Sequence, residues 1–222
     1  MLLSALEGHR LWAPSYQTAQ NPLVALEGRL LPEILGTVSR LRVVDVACGT
    51  GRWAARLAEY GADAVGLDFC AEMLDHAPAS LRTRLVLADA GSLPVRSGSA
   101  DLTLCSLAIS YFPDLERALS EMARITKAGG RLIISDLHPA GVEAGWTRSF
   151  RIDGMHYELR HFGYSLEQTD SLARRAGLTL DSELQARFGE PEKAIFQAAD
   201  KAGIWDAISE VPALWIGSWR AK

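Results

Sequence analysis

Short apolar runs alternate with amphipathic stretches of helical length between residues 40 and 136 of this 222-residue chain. The apolar runs, which have the length of strands, are residues 42–46, 64–68, 85–89, 102–106 and 131–135. Such alternation is typical of parallel strands joined by crossover helices that cover both faces of a sheet. The sequence therefore predicts an α/β fold built on a doubly wound, mostly parallel sheet.

The predicted helices have recognisable ends. Residues 52–60 are amphipathic and stop at Gly61. Asp114 is a candidate N-cap for a helix that ends at residues 128–130, where a glycine can adopt left-handed backbone angles. A capping box at residues 165–168 opens a further helix.

The pattern changes beyond the fifth apolar run. An Asp-Gly pair at residues 153–154 separates two extended runs, which is the strongest short-range indication of a β-hairpin and sets Phe150 opposite Tyr157. The apolar face of this hairpin carries Phe150, Ile152, Met155, Tyr157, Leu159 and His161. Something must cover that face. Strands near residues 178–184 and 213–219 bring the predicted sheet to seven strands.

Composition narrows the classes of function. Lys and Arg number 23 against 27 Asp and Glu, and the net charge of −4 disfavours a generally basic nucleic-acid surface. No apolar run reaches membrane-spanning length, and residues 1–9 lack the basic start and sustained apolar stretch of a secretory signal. We therefore expect a cytoplasmic monomer or homodimer that binds neither nucleic acid nor membrane.

The first predicted strand runs into a turn that contains Gly49 and Gly51 and leads to a helix. Glycines let a backbone approach a ligand closely, and the first amides of the helix are unpaired donors at its positive dipole end. Residues 49–54 also satisfy the dinucleotide form G-x-G-x-x-A. A nicotinamide or flavin site and a merely structural turn both stay open at this point.

Acidic residues end the next two predicted strands. Asp68 closes the second and Asp89 the third, at the carboxyl edge where open parallel sheets bind ligands. A carboxylate at the end of the second strand can accept both hydroxyls of a ribose, and an adenine amino group can reach the next strand. Either acid can instead cap the segment that follows it.

Asp45, inside the first predicted strand, bears on which kind of cofactor the turn can bind. In a dinucleotide fold the end of the first strand is normally apolar, whereas here an acid interrupts residues 43–46, and a buried carboxylate needs partners. It would hold the glycine turn through backbone amides and place negative charge beside the ligand. A sulfonium with an amino-acid tail suits that charge better than a pyrophosphate does.

Over residues 40–136 the chain resembles the class I S-adenosylmethionine-dependent methyltransferases. Residues 43–51 resemble the first motif of that family, residues 64–68 its acidic ribose loop and residues 88–90 its adenine-binding segment. The resemblance implies a Rossmann-like fold, S-adenosylmethionine as cofactor and methyl transfer to a small molecule, as in the quinone-biosynthesis methyltransferases.

The resemblance also implies roles for single residues. The methionine part of the cofactor would contact Asp45, Ala47, Gly49 and Gly51, and the ribose would contact Asp68. Phe69 and Met73 would contact the adenine face, and Asp89 and Ala90 would contact the adenine edge. Ser106 would border the methyl group. Phe69 and Met73 fit a helix core equally well. Tyr16 resembles an aromatic of the lid that closes over the cofactor. Ala47 stands where many members have glycine, and we expect it to adopt ordinary strand-like angles.

We expect a single methyltransferase domain over residues 1–222. Within it, residues 1–38 would form N-terminal lid helices, residues 40–136 the cofactor-binding core, and residues 137–165 and 186–212 the substrate cap. The aromatic residues of the hairpin and of the second cap segment predict a small, partly apolar methyl acceptor.

Methyl transfer is an in-line displacement by a lone pair, so it requires positioning and exclusion of water more than a nucleophile on the protein. A base helps where the acceptor is a phenol or a weakly acidic N–H. His138 after the fifth strand, together with Tyr157 and His161 on the hairpin, are the candidates for contact with the substrate. We expect an oxygen or nitrogen acceptor rather than carbon, and no metal, because no divalent-ion pattern follows strand four or five.

Two other classes of function stay open. A nicotinamide-dependent oxidoreductase would need a pyrophosphate loop that tolerates Asp45, and the Tyr-x-x-x-Lys pattern of a proton donor does not occur. A regulatory module that binds the cofactor without turnover would carry the same motifs as an enzyme.

Overall fold

The computed structural model of the chain describes residues 1–18, 20–199 and 201–222. The strands of the described residues, β1 to β10 in chain order, are Leu2–Leu3, Arg42–Val46, Asp63–Asp68, Leu85–Leu87, Ala100–Ser106, Thr126–Leu137, Ser149–Ile152, Met155–Leu159, Leu178–Ala186 and Leu214–Ala221. The α-helices of the same residues, α1 to α9, are Ala5–Trp12, Pro22–Leu35, Arg52–Glu59, Ala71–Asp75, Leu115–Ile125, Pro139–Glu143, Leu166–Arg175, Glu190–Ala198 and Trp205–Ser209. The expected lid and the second cap segment each include one residue outside this description, Ala19 and Asp200.

Seven strands form the main sheet in the order β4-β3-β2-β5-β6-β10-β9. The pairs from β4 to β6 are parallel, whereas β10 runs antiparallel to both β6 and β9. The predicted α/β class and the mostly parallel seven-stranded sheet are therefore confirmed. Because β2, β3 and β5 are parallel neighbours, their carboxyl ends meet at one edge.

Helices cover both faces of this sheet. Val43 of β2 packs in the apolar cluster formed with α2 and α3, and its neighbour Val44 packs in the cluster formed with α5 and α7. Successive strand residues point to opposite faces, so a strand covered on both sides is largely apolar. This explains why the central strands were recognisable as short continuous apolar runs.

Two predicted boundaries are wrong. Helix α5 is capped by Asp114, as predicted, but ends at Ile125 rather than at residues 128–130. The hydroxyl of Thr126 donates to the carbonyl of Met122 at 2.7 Å, and β6 begins at once. Strand β4 is also two residues shorter than the run 85–89.

The predicted hairpin is formed by β7 and β8 with Phe150 opposite Tyr157. Its turn residues Asp153 and Gly154 have φ of 49° and 78°, the left-handed angles that a tight two-residue hairpin requires. Strand β1 adds to β8 in parallel and makes a separate three-stranded sheet, which the sequence did not predict. The apolar face is covered only in part, since Met155 near the turn is 53% exposed.

Candidate active site

A cavity of about 560 Å³ opens at the carboxyl edge of the main sheet. One wall is made by the turn after β2 and the ends of β3 and β5, and the opposite wall by α1, α2, the hairpin and α8. This volume lies within the range of sites that bind small molecules.

The turn after β2 reverses the chain through three residues with positive φ. Ala47, Gly49 and Gly51 have φ of 57°, 58° and 75°. The expectation that Ala47 adopts strand-like angles is therefore wrong. An alanine in the left-handed region carries strain because its Cβ crowds the following carbonyl, and the tight exit from β2 imposes it.

Asp45 is buried beneath this turn. Its Oδ2 accepts the amide of Ala54 in the first turn of α3 at 3.0 Å, and its Oδ1 has no partner among the described residues. Burial raises the pKa of Asp45 to about 7. Asp45 thus bonds to the helix that follows the glycine turn, and it lies below the cavity rather than on its wall.

Asp68 lies at the end of β3 on the wall of the cavity. Its Oδ2 accepts the amide of Gly49 at 2.7 Å, and its Oδ1 accepts the amide of Cys70 at 2.9 Å. Burial raises the pKa of this carboxyl. The acid therefore joins the glycine turn to the start of α4 and faces the cavity at the same time.

A smaller cavity of about 80 Å³ continues past Asp68 and Phe69. Asp89 and Ala90 line it, and the Oδ1 of Asp89 accepts the amide of Gly91 at 2.8 Å. Phe69 borders both spaces and is 42% exposed, whereas Met73 borders the large cavity and is otherwise buried. The residues expected around an adenine therefore lie together at one end of the site.

The N-terminal segment covers the other side of the large cavity. Tyr16 borders it and packs edge-on against Trp12, with ring centroids 4.8 Å apart. Trp12 in turn stacks on Phe150 of the hairpin at 4.8 Å. The expected lid residue and the hairpin therefore meet through an aromatic contact.

Ser106 at the end of β5 also borders the cavity. Its hydroxyl donates to Oε1 of Glu27 at 2.6 Å and accepts from Nη2 of Arg52 at 3.1 Å. Glu27 of α2 is fully buried. Nothing in the sequence pattern indicates that Glu27 is buried, because an acid in an amphipathic helix usually faces solvent.

The three residues expected to contact the acceptor do not border the large cavity. His138 caps α6 by accepting the amide of Ala140 at Nδ1, and its Nε2 lies 3.1 Å from Gln185. His161 lies over a separate, small pocket, and Tyr157 stacks on Phe150. The geometry gives no support to a base role for these side chains, which stays a prediction.

Other polar residues, which the sequence did not single out, do border the cavity. Arg148 forms a buried ion pair with Asp136, and its guanidinium carbon lies 5.5 Å from the ring centre of Tyr111. His9 meets Tyr111 edge-on at 4.8 Å, and burial lowers the pKa of His9 to about 4. His9 and Trp12 lie three positions apart in α1, and this helical spacing gives no sign of a cavity until the hairpin folds over it.

Carboxylates outnumber cations around the glycine turn. Glu27 pairs with Arg52, Asp68 lies on the cavity wall, and Asp45, whose pKa is raised to about 7, is only partly ionised at neutral pH. This charge suits a cationic ligand and opposes a diphosphate. Within residues 1–18, 20–199 and 201–222, no group of three or more His, Cys, Asp or Glu side chains is arranged to hold a metal ion. No helix of those ranges is long and apolar enough to cross a membrane.

Residues 44–134 match the model of a family described as a methyltransferase domain. The chain is 36% identical over 136 residues to the demethylmenaquinone methyltransferase of Renibacterium salmoninarum, covering 57% of this chain and 56% of that protein. It is 30% identical over 146 residues to the malonyl-[acyl-carrier protein] O-methyltransferase of Yersinia pestis, covering 65% and 54%. The chain thus spans about half the length of these curated relatives.

A solved structure shares the fold over nearly the whole chain. The S-adenosylmethionine dependent methyltransferase from Mesorhizobium loti superposes with a TM-score of 0.70 at 22% identity, covering 90% of this chain and all of that one. Since its sequence is so distant, this likeness concerns the fold alone. Motif order, family match and fold agree: residues 44–134 match a methyltransferase domain, and the chain shares the fold of a solved methyltransferase structure.

Proposed function

We propose that this protein transfers a methyl group from S-adenosylmethionine to an oxygen or nitrogen atom, rather than a carbon, of a small, partly apolar molecule. One observation carries the proposal. A single cavity has the glycine turn and Asp68 on one wall and a group of aromatic side chains around Arg148 on the other. Cofactor and acceptor can therefore meet inside one cavity.

The residues on the sheet side fit the cofactor. Asp68 would hold the ribose, Phe69 and Met73 the adenine face, and Asp89 with Ala90 the adenine edge. Ala47 and Gly49 would border the methionine part, whereas Gly51 shapes the turn but does not border the cavity. Asp45 acts from below the turn through its bond to Ala54. When bound, the cofactor supplies an electrophilic methyl group on a sulfonium.

The other wall fits the acceptor. Trp12, Tyr16 and Phe150 offer apolar ring surface, and Arg148 with Tyr111 offers polar groups beside it. Since His9 has a pKa near 4, it stays neutral at pH 7 and adds no charge. Alignment of the acceptor with the methyl group and exclusion of water would then supply much of the acceleration of methyl transfer.

Three expected segments contribute to the enclosure. Residues 1–38 supply His9, Trp12 and Tyr16, residues 137–165 supply the stretch 146–151, and residues 186–212 supply Phe188 and Phe196. We propose that they act as lid and cap over the core at residues 40–136. The names of two relatives, an O-methyltransferase and a demethylmenaquinone methyltransferase, are compatible with a small or partly apolar acceptor group.

Calorimetric titration with S-adenosylmethionine and, separately, with NADH tests the cofactor. We expect binding of the first only, and binding of NADH alone would point to the oxidoreductase alternative. Incubation of candidate acceptors with isotope-labelled cofactor, followed by mass spectrometry, tests turnover. Cofactor binding without any labelled product across phenols, carboxylates and amines would favour a regulatory module.

A further inference from the structure

The hydroxyl of Ser106 has a fixed direction. It donates a hydrogen bond to Oε1 of Glu27 at 2.6 Å, and it accepts one from Nη2 of Arg52 at 3.1 Å. A carboxylate can only accept and a guanidinium can only donate, so neither bond can be reversed.

Glu27 leaves no room for an alternative arrangement. Its Oε2 accepts from Arg52 at 2.5 Å and from the indole N–H of Trp53 at 3.0 Å, and its Oε1 accepts from Ser106 and from the hydroxyl of Ser135. The carboxylate is fully buried and saturated with donors. Releasing the proton of Ser106 would leave a buried acceptor short of a partner, which is costly.

A serine hydroxyl has one proton and two lone pairs. In Ser106 the proton and one lone pair are used inside the protein, and the residue borders the cavity. Toward a ligand it can therefore act only as an acceptor.

We infer that Ser106, held by Glu27 as a positioning residue, offers this lone pair to the positively charged part of the methyl donor and so favours S-adenosylmethionine over S-adenosylhomocysteine. The inference rests on the proposed function. The two ligands differ in charge, because S-adenosylmethionine carries a sulfonium and S-adenosylhomocysteine a neutral thioether. Loss of the Ser106 lone pair should therefore affect mainly the first ligand, whereas general damage to the site weakens binding of both.

The test measures the dissociation constants of both ligands by calorimetry. Ser106→Ala removes the lone pair, and we expect the ratio of the two affinities to shift against S-adenosylmethionine about three- to tenfold. Glu27→Gln should shift it in the same direction, because an amide nitrogen would donate to Ser106 and turn the hydroxyl proton toward the cavity. Ser135→Ala is the matched control, since it removes the other hydroxyl on Oε1 without touching the cavity wall.

The inference is overturned if Ser106→Ala weakens binding of both ligands equally, or if Ser135→Ala shifts the ratio of the two affinities as much as Ser106→Ala does. Either result leaves the proposed function intact. If the wild-type protein binds neither ligand, the proposed function fails and the inference fails with it. Should Glu27→Gln not fold, the two serine variants decide the matter alone.

Discussion

The amide of Gly49 donates a 2.7 Å hydrogen bond to Oδ2 of Asp68, so the glycine turn after β2 and the acid that ends β3 form one unit. The other oxygen of the same carboxylate accepts the amide of Cys70. One side chain therefore sets the shape of two loops and also faces the cavity. Replacement of Asp68 must therefore affect both the loops and the cavity wall.

We predict that Asp68→Ala weakens binding of S-adenosylmethionine by an order of magnitude or more, because charge-assisted bonds to the ribose and the support of the Gly49 amide are lost together. Calorimetry measures the change. Asp63→Ala is the control, since Asp63 lies at the opposite end of β3 and bonds to Arg84. An unchanged affinity in Asp68→Ala would remove the ribose assignment.

The ion pair between Arg148 and Asp136 is predicted to matter strongly for stability. Both side chains are largely buried, so Arg148→Met leaves an uncompensated carboxylate and should cost about 3 to 5 kcal/mol. Urea denaturation measures this loss. The exposed pair of Arg10 with Glu72 provides the comparison, and Arg10→Met should cost less than about 1 kcal/mol.

A double variant separates charge from packing at the same place. Asp136→Asn combined with Arg148→Met removes the unpaired charge, so we expect it to be more stable than Arg148→Met alone. A double variant that is no better than the single one would mean that lost packing, not the unpaired carboxylate, causes the destabilisation.

Asp45 should make stability depend on pH. Burial raises its pKa from 3.8 to about 7, so the folded protein binds a proton that the unfolded chain has already released. The contribution of Asp45 to stability is therefore complete below about pH 4 and is lost as pH rises to about 7. We expect Asp45→Asn to gain stability relative to wild type over that range.

Denaturation of both proteins at several pH values between 4 and 8 measures this difference. Asp101→Asn is the contrast, because Arg42 and Lys127 hold the pKa of the Asp101 carboxyl below its usual range. Its difference from wild type should stay level above about pH 5, where Asp101 is ionised in both the folded and the unfolded protein. A level difference for Asp45→Asn would show that Asp45 ionises normally in the folded protein.

Ala47→Gly should stabilise the protein. An alanine at φ of 57° carries left-handed strain that glycine avoids, and the greater freedom of glycine in the unfolded chain offsets part of the gain. We expect a net gain of about 0.5 to 1 kcal/mol by thermal or urea unfolding. Ala54→Gly, inside α3, should do the opposite by a similar amount. A loss of stability in Ala47→Gly would contradict the strain.

The sequence by itself determined the sheet and the edge at which the site lies. Strands covered on both faces are largely apolar, and amphipathic helices repeat about every 3.6 residues, so both can be recognised from neighbouring residues. The hairpin register followed from the turn residues Asp153 and Gly154 for the same reason. Asp68 and Asp89 could be located because a strand end is a local feature.

Only the tertiary structure decided which polar side chains reach the cavity. Glu27 meets Ser106, 79 positions away, and Ser135, 108 positions away, and no local pattern encodes such a distance. His138 follows the right strand, yet its ring turns away to cap α6. Burial of charge depends on the partners that the complete fold brings together, and those partners meet only once α2, the sheet and the hairpin have packed.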